Sequence, residues 1–147
     1  MKKIIIYTDG GARGNPGKAA IGVVFCDENG QVLKKFGEYL GDNLTNNDAE
    51  YHAVIFALKK FKSVFGKKEA EHSEVEIRSD SELLVNQMSG KYKVENEKIQ
   101  KFFIEIWNLK IDFKEVTFRA IPREKNTQAD RLVNEVLDRE SSSQKLF

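Results

Sequence analysis

Four acidic residues that are far apart along the chain stand where a carboxylate is costly unless it is paired or bound to a cation. Asp9 follows the apolar run 4–7, and Glu50 shares a helical stripe with apolar residues four, seven and eleven positions later. Asp80 follows a short strand pattern, and Asp130 lies in the first turn of the last predicted helix. Gathered carboxylates repel each other, and a divalent cation offsets that repulsion. An oxygen-only set favours Mg²⁺ or Mn²⁺ over zinc, and two such ions suit in-line attack on a phosphodiester.

Each of these acids has an ordinary structural alternative when it is considered alone. Asp9 precedes a glycine, which is a common turn pair. Asp80 could cap a helix, and Asp130 could complement a helix dipole. The prediction of a metal site therefore depends on all four acids meeting at one edge of a sheet. The only histidines, His52 and His72, are too few for a zinc centre or a Ser-His-Asp triad, and we expect both on the surface.

The elements that must position the acids follow from hydrophobic periodicity. Three early strands joined by short turns predict antiparallel pairing, and later strand–helix alternation predicts parallel crossovers. We predict an α/β domain over residues 1–140, with a five-stranded mixed sheet (three antiparallel strands, then parallel strands) and helices on both faces. A flexible tail is expected over 141–147. The predicted strands are 3–9, 20–27, 31–40, 74–78 and 116–121, and the predicted helices are 45–61, 80–88, 96–109 and 127–139, with a charged connection at 67–73.

Composition limits the remaining classes of protein. The 147 residues carry a net charge of +1, which weighs against purely electrostatic binding of nucleic acid. The single cysteine, Cys26, lies in an apolar run and cannot form an internal disulfide. No apolar stretch is long enough to span a membrane. We therefore expect a cytoplasmic protein, and we expect a monomer.

Four motifs together resemble type 1 ribonuclease H, in its short form that lacks the basic protrusion. They are YTDGGARGNPGKAAIGVVF, NNDAEYHAVIFAL, SDSELLVNQM and IPREKNTQADRLVNEVL, and the resemblance covers residues 4–137. It implies a ribonuclease H-like fold and an endonuclease that hydrolyses the RNA strand of RNA–DNA hybrids. It also implies a mechanism with two Mg²⁺ ions, with Mn²⁺ as a substitute, that leaves 5′-phosphate and 3′-hydroxyl ends. The family's catalytic, metal-binding carboxylates correspond to Asp9, Glu50, Asp80 and Asp130.

The resemblance further implies which residues contact the hybrid. RNA differs from DNA at the 2′-hydroxyl, and glycines let the backbone approach a ribose. The paired asparagines correspond to residues that read the minor groove, and two other positions match the surroundings of a phosphate-binding pocket for the DNA strand. The expected substrate-binding residues are Gly10, Gly11, Ala12, Arg13, Asn15, Thr45, Asn46 and Asn47.

The loop before Asp130 departs from the family pattern, because many members carry a histidine there and this loop has none. We expect Arg123, Glu124 and Asn126 to serve in product release or in another accessory role. Glu82 stands where the family has a glutamine, and an ionised acid cannot donate a hydrogen bond to the RNA strand.

Two further segments bear on partners. Lys91, Tyr92 and Lys93 stand where some members insert a long basic helix, so we expect weak hybrid binding that falls steeply with salt. The last residues, 144–147, slightly resemble peptides that bind a sliding clamp. Folding of the tail back onto the domain, with burial of its last two apolar residues, is the favoured alternative to clamp binding.

Two other functions stay open at this point. A catalytically impaired module that binds RNA–DNA hybrid or double-stranded RNA would fit the missing histidine, although all four acids are present. A resolvase- or integrase-like DNA nuclease would share the fold. The Asn46-Asn47 pair and the lack of a DNA-targeting domain argue against that nuclease.

Overall fold

The computed structural model describes residues 2–145 of the chain, with helices packed against one five-stranded sheet. The strands are β1 (Lys2–Gly14), β2 (Gly17–Asp27), β3 (Val32–Leu44), β4 (Ser73–Ser79) and β5 (Glu115–Ala120). The helices are α1 (Asn46–Phe65), α2 (Lys67–Glu71), α3 (Glu82–Met88), α4 (Glu97–Lys110) and α5 (Thr127–Lys145), and a short 3₁₀ helix covers Arg123–Lys125.

The strand order is β3-β2-β1-β4-β5. β1, β2 and β3 pair antiparallel, while β4 pairs parallel with both β1 and β5. Short turns join the first three strands, and connections that contain helices precede β4 and β5, as these two kinds of pairing require. The predicted mixed sheet is therefore confirmed. Because β1 and β4 are parallel, both run toward the same edge of the sheet.

Alternating residues of β1 supply the cores on the two faces of the sheet. Ile4 and Ile6 belong to the main core, together with Phe61 from α1. Ile5 faces the other way and packs in a smaller cluster with Ala129 of α5. β1 is thus enclosed by helices on both faces, and α1 and α5 are held on opposite sides of its end.

β1 does not end at Asp9, which corrects the predicted boundary. It pairs with β2 as far as Gly14, so residues 10–13 belong to a strand and not to a turn. The glycines look like a turn in the sequence, but the two strands keep one continuous antiparallel register. Pairing with β4 stops at Tyr7. Asp9 therefore lies beyond the end of β4, where one side of β1 is open.

Several other boundaries differ from the prediction, since β2 begins at Gly17, β3 continues to Leu44 and α1 continues to Phe65. Residues 67–71 form a short helix inside the predicted charged connection. The last helix continues past Arg139, so residues 141–145 of the expected tail are helical. Both segments are polar, so no apolar stripe marked them as helix. Leu146 and Phe147, on which the predicted fold-back and the sliding-clamp contact depend, lie outside the described residues.

Two expectations from composition concern the surroundings of the protein. Cys26 is a free, buried thiol on β2, as its apolar neighbours predict. Burial raises its pKa, which makes it a poor nucleophile. Between residues 2 and 145, no helix combines the length and the apolar character that a membrane crossing needs.

Candidate active site

A polar cavity of about 380 Å³ opens at the edge of the sheet where β1 passes the end of β4. All four predicted acids line it, so the structure brings together residues that are up to 121 positions apart. The lining residues are Asp9, Gly10, Gly11, Ala12, Arg13, Asn46, Glu50, Asp80, Arg123, Asp130, Val133, Asn134 and Leu137.

Glu50 reaches the cavity because α1 crosses β1 at very short range. A Cβ atom added to Gly10 would lie 2.3 Å from the backbone carbon and oxygen of Ala49 and 2.5 Å from the nitrogen of Glu50. Only a glycine allows this approach. The residue after Asp9 therefore places the start of α1, and with it the second acid, beside the first.

Asp80 is not a helix cap, which removes its structural alternative. The cap of α3 is Ser81, whose hydroxyl accepts a hydrogen bond from the Leu84 N–H at 3.2 Å. Asp80 follows the last residue of β4 and lines the cavity. Asp130 lies in the first turn of α5, as predicted, and its side chain also lines the cavity.

The cluster strongly disfavours ionisation of Asp9, which is only 9 % exposed. Burial raises the pKa of Asp9 to about 8, with further contributions from the charges of Asp80, Asp130 and Glu50 and from a hydrogen bond with Asp130. Burial also raises the pKa of Glu50, and the charge of Asp80 adds to that effect, although a hydrogen bond from Ser81 opposes it.

This donor set fits divalent cations that prefer oxygen ligands. A bound cation would offset the charges of these acids and favour the ionised form of Asp9. As placed, no three His, Cys, Asp or Glu side chains of residues 2–145 form a ready metal-binding group. Burial and the charges of the neighbouring acids make the site a cluster of mutually repelling carboxylates.

Two asparagines donate amide hydrogens to the acids. Asn126 is 1 % exposed, and its Nδ2 donates to Asp80 Oδ2 at 3.5 Å. Asn134 is exposed, and its Nδ2 donates to Asp130 Oδ2 at 3.4 Å. Asn134, Val133 and Leu137 were missed as cavity residues. The signal available for Asn134 was its position four residues after Asp130, on the same face of the helix.

Arg13 stands at the mouth of the cavity, held by α5. Its Nη2 atom contacts Asp138 Oδ1 at 2.7 Å and donates to Asn134 Oδ1 at 3.4 Å. Both members of the ion pair are exposed, and such pairs contribute about 0–1 kcal/mol. An anion at the cavity mouth can therefore compete with Asp138 for the guanidinium.

Among the other predicted contact residues, two asparagines fasten the β1–β2 turn to the start of α1. Asn46 Oδ1 accepts from the Ala12 N–H at 2.8 Å, and the Asn46 N–H donates to Asn15 Oδ1 at 3.0 Å. Asn46 lines the cavity, whereas Asn15 does not. Asn47 also lies outside the lining, and within residues 2–145 its buried Oδ1 has no hydrogen-bond partner.

Thr45 has a structural task, which it shares with Asp48. The Asp48 N–H donates to Thr45 Oγ1 at 3.0 Å, and the Thr45 N–H donates to Asp48 Oδ2 at 3.0 Å, which completes a capping box. Lys98 Nζ adds a contact to Asp48 Oδ2 at 2.8 Å. Burial acts to raise the pKa of Asp48, but the hydrogen bonds from Lys98 and Thr45 outweigh it and hold the pKa below its usual range.

Only one of the three predicted accessory residues lines the cavity, and it is Arg123. Glu124 is exposed outside the lining. Asn126 is buried, which is inconsistent with a mobile gate for product release. Neither histidine reaches the cavity. His52 is half-buried with its ring centroid 4.7 Å from that of Phe102, which corrects its predicted surface position.

Comparisons with known proteins agree with this architecture. The profile of the reverse transcriptase-like family matches residues 7–136. The chain is 31 % identical over 143 residues to ribonuclease H of Caldicellulosiruptor saccharolyticus, covering 91 % of this chain and 90 % of that protein. The crystal structure of LC11-RNase H1 in complex with RNA/DNA hybrid is similar with 50 % identity and a TM-score of 0.88, covering 93 % of this chain and 98 % of that one.

Some relatives are longer. The bifunctional protein Rv2228c of Mycobacterium tuberculosis is 35 % identical over 142 residues. That match covers 96 % of this chain but only 37 % of Rv2228c. The chain therefore spans little more than a third of the mycobacterial protein.

Proposed function

Because the chain belongs to the ribonuclease H family, we propose that it is an endonuclease that hydrolyses the RNA strand of RNA–DNA hybrids. Its products carry 5′-phosphate and 3′-hydroxyl ends. The observation that carries the proposal is the meeting of Asp9, Glu50, Asp80 and Asp130 on one cavity, where the pKa of Asp9 is raised to about 8. The hybrid bound to the similar LC11-RNase H1 supports the choice of substrate.

The four acids are the proposed catalytic and metal-binding residues, and they would hold two Mg²⁺ ions, with Mn²⁺ as a substitute. When bound, such ions supply an activated water and offset negative charge on the scissile phosphate. The protein's own contribution is to hold its carboxylates and the RNA strand in line for the attack.

The residues around the acids are the proposed substrate contacts. Backbone groups of residues 10–12 line the cavity and can approach a ribose closely. The Arg13 guanidinium can leave Asp138 and bind a phosphate of the hybrid. Asn47 keeps its proposed place at the minor groove as the second member of the asparagine pair. For product release, the cavity-lining Arg123 is the proposed residue.

Asn15 and Thr45 keep their proposed place near a phosphate of the DNA strand, and Asn46 keeps its place at the minor groove. All three already make the hydrogen bonds that hold the start of α1, so they would contact nucleic acid while they serve as structural anchors. The buried thiol of Cys26 agrees with a reducing compartment, and we propose the cytoplasm. A monomeric state stays a prediction for sedimentation analysis.

A panel of labelled duplexes tests the proposal. The protein is offered RNA–DNA hybrid, double-stranded RNA and double-stranded DNA, each with Mg²⁺, Mn²⁺ or EDTA. We expect cutting of the RNA strand of the hybrid with Mg²⁺ or Mn²⁺, and no cutting with EDTA. Mapping of the product ends checks the 5′-phosphate and the 3′-hydroxyl.

Two outcomes of the same panel would contradict the proposal. Hybrid binding without cutting in either metal would identify a catalytically impaired binding module. Cutting of duplex DNA would indicate a resolvase- or integrase-like nuclease on the same fold.

A further inference from the structure

Asn126 contacts the immediate surroundings of three of the four acids. Its Nδ2 donates to the backbone oxygen of Thr8, the residue before Asp9, at 2.9 Å, and to Asp80 Oδ2 at 3.5 Å. Its backbone oxygen accepts from the Asp130 N–H at 3.1 Å. That last bond is between backbone atoms and does not depend on the side chain. We propose that the Asn126 side chain is a positioning group that sets the placement of Asp9 relative to Asp80. This inference rests on the proposed function, because it concerns how that site is assembled.

The chemistry of the amide suits this task. One neutral nitrogen provides two hydrogens, and here one is directed to the end of β1 and the other to the carboxylate that follows β4. A lysine or arginine at this place would bring a charge that competes with a metal ion. A carboxylate would add to the repulsion that already raises the pKa of Asp9. A neutral double donor links the two strand ends without either effect.

The oxygen of the Asn126 amide shows that packing alone does not explain why an asparagine stands at this position. Asn126 Oδ1 is buried, and among residues 2–145 it has no hydrogen-bond partner. Buried acceptors are almost always paired, because an unpaired one is destabilising. An apolar side chain of similar size would avoid that destabilisation. The contacts of its nitrogen with Thr8 and Asp80 explain why an amide stands here.

Asn134, which lies in α5, provides a contrast to Asn126, which precedes that helix. It also donates to an acid, Asp130 Oδ2 at 3.4 Å, but it is exposed, so water can replace its hydrogen bond. Asn126 is buried, and water cannot take its place as easily. The positioning effect should therefore be larger for Asn126 than for Asn134.

The test uses the full chain and two variants of nearly constant side-chain size, Asn126→Leu and Asn126→Asp. Mn²⁺ binding is titrated by calorimetry without nucleic acid, kcat and KM are measured on RNA–DNA hybrid, and Tm is recorded. We expect Asn126→Leu to weaken Mn²⁺ affinity or kcat by ~10–100-fold, as is typical for partners of metal ligands, with the KM for hybrid unchanged. Asn126→Asp should lower kcat as well, because an ionised carboxylate cannot donate to the Thr8 backbone oxygen or to Asp80.

Asn96→Ala is the matched control for stability. Asn96 caps α4 by accepting from the Ile99 N–H at 3.1 Å, away from the cavity. We expect this variant to lower Tm by ~2–4 °C and to bind Mn²⁺ like the wild type. It shows what a loss of stability alone does to each measurement.

The inference is overturned if Asn126→Leu and Asn126→Asp keep both the Mn²⁺ affinity and the kcat of the wild type, or if their losses match those of Asn96→Ala. A failure of the proposed function gives a different result, because the wild type would then leave the hybrid uncut. The metal titration would still measure whether Asn126 positions the acids. If Asn126→Leu does not fold, Asn126→Asp and Asn126→Ser supply the same comparison.

Discussion

Asp9 and Asp48 are buried to nearly the same degree, at 9 % and 5 % exposure, yet their environments are opposite. Asp48 is surrounded by donors, since Lys98 and the Thr45 backbone contact it at 2.8 Å and 3.0 Å, and its pKa is lowered although burial opposes this. Asp9 is surrounded by acids, and its pKa is raised to about 8 by burial and their charges.

The comparison separates acids that serve folding from acids that serve chemistry. An aspartate that the fold uses to cap a helix is paired, and its negative charge stabilises the folded state. A buried aspartate beside other acids destabilises the folded state when it ionises. The arrangement at Asp9 is explained if a cation completes it, which is the basis of the proposed metal site.

The largest expected effect is the loss of activity when an acid that lines the cavity is replaced, compared with the replacement of an acid elsewhere. Asp9→Asn and Asp80→Asn should each lower hydrolysis of the hybrid by at least ~10³-fold, because each removes a proposed metal ligand, and a bound metal ion supplies several kcal/mol of charge stabilisation. Initial rates with Mg²⁺ measure this. Asp112→Asn, at an acid that pairs with Lys62 outside the cavity lining, should keep the wild-type rate. A near-native rate for either cluster variant would exclude that acid from the site.

A second test concerns Gly10, which lets α1 place Glu50 beside Asp9. Gly10→Ala should destabilise the protein by ~1–3 kcal/mol through overpacking and should lower activity, since its Cβ would meet the α1 backbone at 2.3 Å. At Gly11 an added Cβ would meet only the Val133 side chain at 3.4 Å. Urea unfolding should therefore show Gly11→Ala to be much milder. Equal destabilisation by both variants would contradict the proposed role of Gly10.

Asp48, which is paired with Lys98 and Thr45, should behave as a structural residue. Asp48→Ala should lower the free energy of unfolding by ~1–3 kcal/mol at neutral pH, because it removes a helix cap and a buried charged acceptor. The lowered pKa of Asp48 stabilises the fold above the ordinary value of 3.8 and is lost as the pH falls through the lower folded-state pKa. Denaturation curves at pH 7 and at pH 3 check both statements. A stabilised Asp48→Ala variant would invalidate the contrast with Asp9.

The smallest expected effect is that of the cation beside Asp48. Lys98 is half-exposed, at 51 % of its side chain, so Lys98→Met should destabilise by at most ~1 kcal/mol. Raised salt should reduce the difference between this variant and the wild type. A thermal melt at two ionic strengths measures it. A loss as large as that of Asp48→Ala would mean that Lys98, not the capping box, keeps Asp48 ionised.

Much of this arrangement could be predicted from the sequence, because its signals are local. Apolar periodicity and turn residues indicated the mixed sheet. The four acids were identified by their places at strand ends and helix starts. Parallel topology then gathers the ends of neighbouring strands at one edge, as it does for Asp9 and Asp80.

The parts that could not be predicted depend on tertiary contacts. The glycines after Asp9 have the composition of a turn, and only pairing with β2 and the approach of α1 make them a strand. Asn126 looks like an exposed loop residue, and its burial follows from the packing of α5 against β1. Asn134 reaches the cavity only because α5 presents that face to Arg13.

The most direct test of the metal site is the stability of wild type and Asp9→Asn between pH 4 and pH 9, in EDTA and in Mg²⁺. The folded-state pKa of Asp9 is about 8 and its ordinary value is 3.8, so the folded state retains a proton that the unfolded state releases. Without metal, the stability of the wild type relative to Asp9→Asn should therefore fall as the pH rises through this window.

At pH 9 in EDTA, Asp9→Asn should be more stable than the wild type by on the order of 1–3 kcal/mol, the penalty for an unsatisfied buried polar group. Mg²⁺ should raise the free energy of unfolding of the wild type as its site fills. It should leave that of Asp9→Asn nearly unchanged. If the difference between the two proteins is independent of pH and Mg²⁺ stabilises neither, the four acids do not form a cation site.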